Sequence, residues 1–214
     1  MKKIKKSQLD LLPFKADRVY RAFAGGAVYI QEGNVYYVDD RNEVMWGFSG
    51  ASDEMQLFAG ENTVGIILGK KLQVINKAGN LVFTKEFAKN ISSVAMGDKL
   101  IAVSLSNSDD TIILNSTGEE IDRIISNVNS TNIRFGVYSG NSVWVITVEN
   151  TGLNSKYQLS TYKYDSGKTQ TVAFSDDSQM MYDAVFNNNI AYIFGTEKIM
   201  VRDCDYTGSV HKDY

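Results

Sequence analysis

Val35-Tyr36-Tyr37-Val38-Asp39-Asp40-Arg41-Asn42-Glu43-Val44-Met45-Trp46 is the stretch on which the fold turns. β-Branched and aromatic residues fill both ends, and polar residues separate them. Val, Tyr and Trp suit a pleated, half-buried surface, so each end reads as a strand. Asp39-Asp40-Arg41-Asn42 reads as the tight turn between them, because Asp and Asn side chains bond their own backbone and Asn tolerates φ > 0. The stretch is one hairpin, and its turn recurs. The equivalents are Asn76-Lys77-Ala78-Gly79, Asn115-Ser116-Thr117-Gly118, Tyr164-Asp165-Ser166-Gly167 and Asp205-Tyr206-Thr207-Gly208. The last turn residues stand at 42, 79, 118, 167 and 208, spaced by 37, 39, 49 and 41. Gly79, Gly118, Gly167 and Gly208 are therefore expected to be structural, each carrying a backbone that turns through positive φ.

A period near 40 with four strands per unit is the signature of propeller blades. The repeats run about 18–50, 51–88, 89–128, 129–176 and 177–214, after an N-terminal extension over 1–17. In the second repeat the strands are 55–59, 63–68, 72–76 and 81–86. The fourth repeat is longer, and its extra residues, 149–157, read as a long surface loop between its second and third strands. The expected fold is all-β: a β-propeller of about five four-stranded antiparallel blades, either a closed ring or part of a larger one, in a single domain over 18–214. Strands in chain order predict that no blade mixes the two chain ends, unless 9–14 supplies a strand. An unclosed arc would expose apolar blade faces and self-associate.

Composition removes several functions. The 214 residues hold 22 basic and 25 acidic side chains, a net charge of −3. That gives no strong attraction to nucleic acid. Lys2, Lys3, Lys5 and Lys6 cluster at the N-terminus, with no apolar run behind them to make a leader, and read as a solvated tail. No apolar run approaches the length of a membrane-spanning helix. Cys204 is the single cysteine, which excludes an intramolecular disulfide framework and Cys-based zinc sites. His211 is the single histidine, which excludes H-E-x-x-H, and its place near the C-terminus speaks against a triad. Gly167-Lys168-Thr169 has the tail of a phosphate-binding loop, but Tyr162 stands where its first Gly is required.

Residues 35–46 resemble the third strand, turn and fourth strand of quinoprotein-type (PQQ-like) propeller repeats, whose pattern is apolar-Tyr-apolar-Asp, a turn ending in Gly, a basic residue, two apolar residues and Trp. Here Asn42 replaces the Gly and Glu43 the basic residue, while Trp46 matches the Trp that in that family packs between blades. The whole-chain pattern is also similar to propeller domains of Gram-positive cell-envelope proteins. The resemblance implies the fold, a structural role for Trp46 and an extracytoplasmic envelope setting, with a cytoplasmic or virion setting as the alternative. Quinone-dependent enzymes of this type use eight blades and a vicinal disulfide, which five repeats and one Cys do not supply.

The remaining chemistry lies in loops. Asp53-Glu54, Asp109-Asp110 and Asp176-Asp177 are paired carboxylates in loops that a propeller gathers on one face. Asp109, Asp110, Asp176 and Asp177 are candidate ligands for a divalent cation, which takes oxygen donors. Asn154, Lys156 and Tyr157 in the extra segment are candidate partner contacts, with Tyr162 and Tyr164 flanking them. No cofactor and no catalysis are expected. The sequence reads as a binding or scaffold propeller that engages a protein or a cell-wall glycan through its loop face. The alternatives are a structural part of a larger envelope or virion assembly and, third, a cation-binding or hydrolytic propeller.

Overall fold

The computed structural model describes residues 18–52, 54–125, 129–151, 154–175, 179–204 and 210–213. Among these residues every regular element is a strand. The chain divides into two compact units, one up to Glu86 and one from Phe87. The first holds blade 1, made of β1 (Arg18–Phe23), β2 (Gly26–Gln31), β3 (Asn34–Val38) and β4 (Val44–Ser49). It also holds blade 2, made of β5 (Gln56–Ala59), β6 (Thr63–Leu68), β7 (Lys71–Asn76) and β8 (Leu81–Glu86). The second unit holds three more. Blade 3 is β9 (Ile91–Met96), β10 (Leu100–Leu105), β11 (Thr111–Asn115) and β12 (Glu120–Ile124). Blade 4 is β13 (Ser130–Tyr138), β14 (Ser142–Thr151), β15 (Asn154–Lys163) and β16 (Lys168–Phe174). Blade 5 is β17 (Met181–Asn187), β18 (Ile190–Gly195), β19 (Ile199–Asp203) and β20 (Val210–Asp213). Every blade is an antiparallel meander of one continuous segment. Residues 9–14 lie outside the described residues.

The recurring turn has one mechanism in the first three blades. The Asp39 carboxylate accepts from the backbone N–H of Arg41 and Glu43, at 2.9 and 3.0 Å. The Asn76 side-chain Oδ1 does the same for Ala78 and Asn80, and Asn115 Oδ1 for Thr117 and Glu119, all at 3.0 Å. The fourth turn residue has positive φ each time: 63° at Asn42, 83° at Gly79 and 86° at Gly118. In blade 4, Tyr164 stands where the others have Asp or Asn, and the turn closes differently. Gly167 N–H donates to the Lys163 carbonyl at 3.0 Å, with φ 61° at Gly167. Gly208 lies outside the described residues.

A second repeated device is a register shift between the third and fourth strands of all five blades. Such a bulge adds twist and interrupts the outer edge, which discourages edge-to-edge pairing. The register places Met45, Val82 and Ile121 at the irregularity in blades 1, 2 and 3, where all three are exposed.

Blades stack face to face within each unit. In the first, Phe23, Val28, Ile30, Val35 and Tyr37 of blade 1 meet Leu57, Val64, Ile66 and Ile75 of blade 2. Trp46 completes this contact. Its indole N–H donates to the Lys77 carbonyl at 3.1 Å, and its ring stacks on Phe48. In the second unit, blade 4 is sandwiched. Val143, Val145 and Tyr162 bury against Leu100, Ala102 and Ile113 of blade 3. The alternate residues Trp144, Ile146 and Leu159 bury against Ala184, Ala191, Ile193 and Met200 of blade 5, with the Cys204 thiol enclosed among them. A strand covered on both faces reads as a continuous apolar run, which is why Val143-Trp144-Val145-Ile146 lacks alternation. Each such side chain contributes about 1.5–3 kcal/mol when fully buried.

In the second repeat the strand ends fall within one residue of the sequence reading. The fourth corrects it. Residues 149–151 and 154–157 are paired strand rather than loop: Glu149 faces Lys156, Asn150 faces Ser155 and Thr151 faces Asn154. Val148, Tyr157 and Leu159 lie on the face turned to blade 5, so the ribbon has an apolar face to bury and extends.

Candidate functional site

The extended ribbon makes blade 4 longer than its neighbour. β14 and β15 have ten residues each, whereas β11 and β12 of blade 3 have five. At about 3.3 Å per residue, blade 4 overhangs blade 3 by roughly 15 Å. The face under the overhang changes character along its length. Near blade 3 it carries Val143, Val145 and Tyr162, all buried. Beyond them the same face carries Thr147, Glu149, Lys156, Gln158 and Ser160, because every second residue of a strand shares a face.

The result is a cleft of about 520 Å³, walled on one side by Arg123, Ile124 and Ile125 of blade 3 and on the other by this polar face. Its floor is a ladder across three strands. Thr147 faces Gln158, which faces Phe174; Val145 faces Ser160, which faces Thr171. The Gln158 amide donates to Ser160 Oγ and Thr171 Oγ1, both at 2.8 Å. Arg123 is held by Glu120, whose Oε1 accepts from Nε at 3.0 Å and Nη2 at 2.8 Å, and lies 3.6 Å from the Asp110 carboxylate. At the margins stand two exposed apolar side chains, Phe174 at 69% and Ile125 at 68%. The overhang is anchored where Asn132 Nδ2 donates to Thr111 Oγ1 and to the Ile124 carbonyl, at 3.1 and 3.2 Å.

Of the expected partner contacts, Lys156 is exposed and Lys156 and Tyr157 both line the cleft. The side chain of Asn154 is outside the described set. Tyr157, Tyr162 and Tyr164 do not share one surface. Tyr157 is 8% exposed, packed toward blade 5, and Tyr162 is buried toward blade 3. Burial, with lesser contributions from Asp122 and Tyr164, raises the Tyr162 phenol above its ordinary pKa. Tyr164 is exposed, with Lys99 Nζ 5.5 Å from its ring centre. Phe174 is the exposed aromatic of the cleft, and the sequence reading did not select it. Its signal was available as an aromatic ending an outer strand beside the extra segment.

Among the carboxylate pairs, Asp109-Asp110 lies between β10 and β11, and Asp110 faces Arg123. Asp53, Asp176 and Asp177 lie outside the described residues. Among the described residues no group of three or more His, Cys, Asp or Glu side chains could hold a metal ion, and no helix is long and apolar enough to cross a membrane.

No protein-family model and no curated protein matches the sequence. Solved structures do resemble it. Hsv2 of Kluyvelomyces marxianus superposes with a TM-score of 0.61 at 11% identity, over 92% of this chain and 61% of that one. The Pan2 WD40 domain of Neurospora crassa gives 0.55 at 13% identity, over 91% and 63%. KlAtg21, solved as a complex with the coiled coil of AgAtg16, gives 0.57 at 12% identity, over 83% and 63%. WD40 domains are propellers of four-stranded blades, and the fold of this chain is a β-propeller of five such blades. The chain spans about three fifths of the length of the structures it matches.

Proposed function

We propose that residues 18–214 form a non-enzymatic binding propeller that engages a protein or a cell-wall glycan through the cleft between blades 3 and 4. The overhang of blade 4 carries the reading: it leaves a largely polar sheet face lining a cleft beside two exposed apolar side chains. The lining supports binding over turnover. Hydrolysis of a glycosidic bond commonly uses two carboxylates about 5–10 Å apart, and Glu149 is the single carboxylate among the described lining residues. A structure of this fold solved with a coiled-coil partner supports a partner-binding role for such blades. The similarity of the whole-chain pattern to propeller domains of Gram-positive cell-envelope proteins supports an envelope setting.

The test presents the full chain to a displayed random-peptide library and to an array of soluble cell-wall glycans. A binder from either source is expected to lose at least about tenfold in affinity against Thr171→Trp, whose indole fills the cleft. A binder indifferent to that substitution removes the cleft from the function.

A second reading, association with another copy, rests on blade 5. One of its faces is buried on blade 4; the other carries Val185, Tyr192 and Ile199, exposed at 55%, 37% and 38%. Val185 faces Tyr192 across the sheet, so they form one apolar strip suited to the same strip of a second molecule.

A further inference from the structure

We propose that the ligand of the cleft is a neutral oligosaccharide segment, lying along the Gln158, Ser160 and Thr171 row with the face of one sugar ring on Phe174. The proposal rests on the reading of the cleft as a partner site and names the chemistry of the partner.

Hydrogen-bonding capacity is the first argument. Gln158 spends both amide hydrogens on Ser160 Oγ and Thr171 Oγ1. Each hydroxyl, having accepted, keeps its own O–H to donate, and the amide carbonyl stays an acceptor. Thr147 and Thr169 add two more hydroxyls to the lining. Donors and acceptors side by side match vicinal diols, which themselves donate and accept.

Charge is the second. Glu149 and Lys156 face each other across β14 and β15. Arg123 is engaged by Glu120 and Asp110. The charges of the lining are thus offset locally, which favours an uncharged polymer over phosphate, nucleic acid or an acidic chain.

Shape is the third. Phe174 lies opposite Gln158 in the register, so a flat apolar ring adjoins the hydrogen-bonding row. A sugar ring has an apolar C–H face and a polar rim, and this pairing of surfaces serves both. A volume near 520 Å³ is within the range of small-molecule sites and holds about two or three sugar rings. An extended peptide, by contrast, is usually captured by the unpaired backbone of a strand edge. Here the floor strand β15 is paired on both sides, to β14 and to β16.

The experiment is isothermal titration of the full chain with three soluble tetrasaccharides: β-1,4-linked glucose, β-1,4-linked N-acetylglucosamine and α-1,4-linked glucose. Heparin and peptides selected by display are titrated alongside. At least one tetrasaccharide is expected to bind with Kd between about 10 μM and 1 mM, with little change across about 0.05–0.5 M salt. Phe174→Ala and Gln158→Ala are each expected to weaken it about tenfold or more while keeping the wild-type circular dichroism. The proposal is overturned if none of the three sugars binds, or if Phe174→Ala binds as tightly as wild type. Peptides that bind and are excluded by Thr171→Trp, with no sugar binding, overturn the sugar assignment and leave the cleft as a protein site. No binding of either class overturns both.

Discussion

Gly79 and Gly167 occupy corresponding turn positions, yet their neighbourhoods differ. Both have positive φ, so any other residue is strained there. A Cβ at Gly79 would also meet the Trp46 side chain at 3.0 Å, whereas one at Gly167 meets nothing within 4 Å. Gly167→Ala is therefore expected to cost about 1 kcal/mol, and Gly79→Ala about 1–2 kcal/mol more, because the indole must move or the turn must open. Urea denaturation of the two variants measures the difference, and equal losses would show that Trp46 does not press on the turn. Burial also sets a titration. It is the leading cause raising the phenol pKa of Tyr29, Tyr37, Tyr138 and Tyr162 above 10.0. The folded chain thus keeps protons that the unfolded chain gives up. This stability is complete below about pH 10 and is lost as pH rises through the native values. Tyr138, stacked on Phe186 at 4.0 Å between ring centres, contributes to that loss. Tyr138→Phe is expected to make the fall in urea midpoint between about pH 9 and pH 11 shallower; an unchanged slope would assign the effect to the other tyrosines.

At the scale of the element, the ribbon of β14 and β15 is an addition that the blade does not need. Replacing residues 150–155 by Asn-Gly places a two-residue turn between Glu149 and Lys156, which already face each other. Val148, Tyr157 and Leu159 keep their places, so a fall in Tm of only about 2–4 °C is expected. Binding in the cleft should be kept, since none of the replaced residues lines it and Thr147, Glu149, Lys156 and Gln158 remain. A shortened chain that no longer binds would show that the ligand depends on the tip of the ribbon instead. This ribbon also marks the limit of what the sequence made legible. Turns were legible because one residue decides each: Asp39, Asn76 and Asn115 cap two backbone N–H groups apiece, and glycine or Asn42 follows at positive φ. Strand ends followed from the turns. Residues 149–157 misled because Glu, Asn, Gly, Ser and Lys dominate them, and only Val148, Tyr157 and Leu159 reveal the buried face. The cleft was not legible at all. It arises from a mismatch of length between sheets packed together, and from the engagement of Arg123 by Asp110, a contact between a strand residue and a loop residue.

At the scale of the molecule, repetition explains the order of blades within the second unit. Blade 4 covers one face of blade 5 as blade 3 covers one face of blade 4, each through alternate residues of a central strand. Applied once more, the same operation calls for a cover over Val185, Tyr192 and Ile199. Sedimentation velocity is expected to show association that grows with concentration, in the range of about 10–100 μM for so small a contact. The double substitution Val185→Lys and Tyr192→Lys is expected to abolish it without loss of Tm, because both side chains are already in water. A wild-type chain that stays monomeric throughout that range would sink the self-association reading. The cleft lies between blades 3 and 4, at the other end of the same unit, so these substitutions should leave sugar binding unchanged.

The enclosed thiol of Cys204 makes the protein its own clock. It is the only cysteine in the chain, and it is fully buried in the layer between blades 4 and 5. A thiol reagent can reach it only when those two sheets part or the whole chain unfolds. The labelling rate under native conditions, set against the rate for the unfolded chain, therefore reads the free energy of separating one blade from the next. A propeller assembled from repeats carries, in a single sulfur atom, a gauge of how cooperatively its repeats hold together.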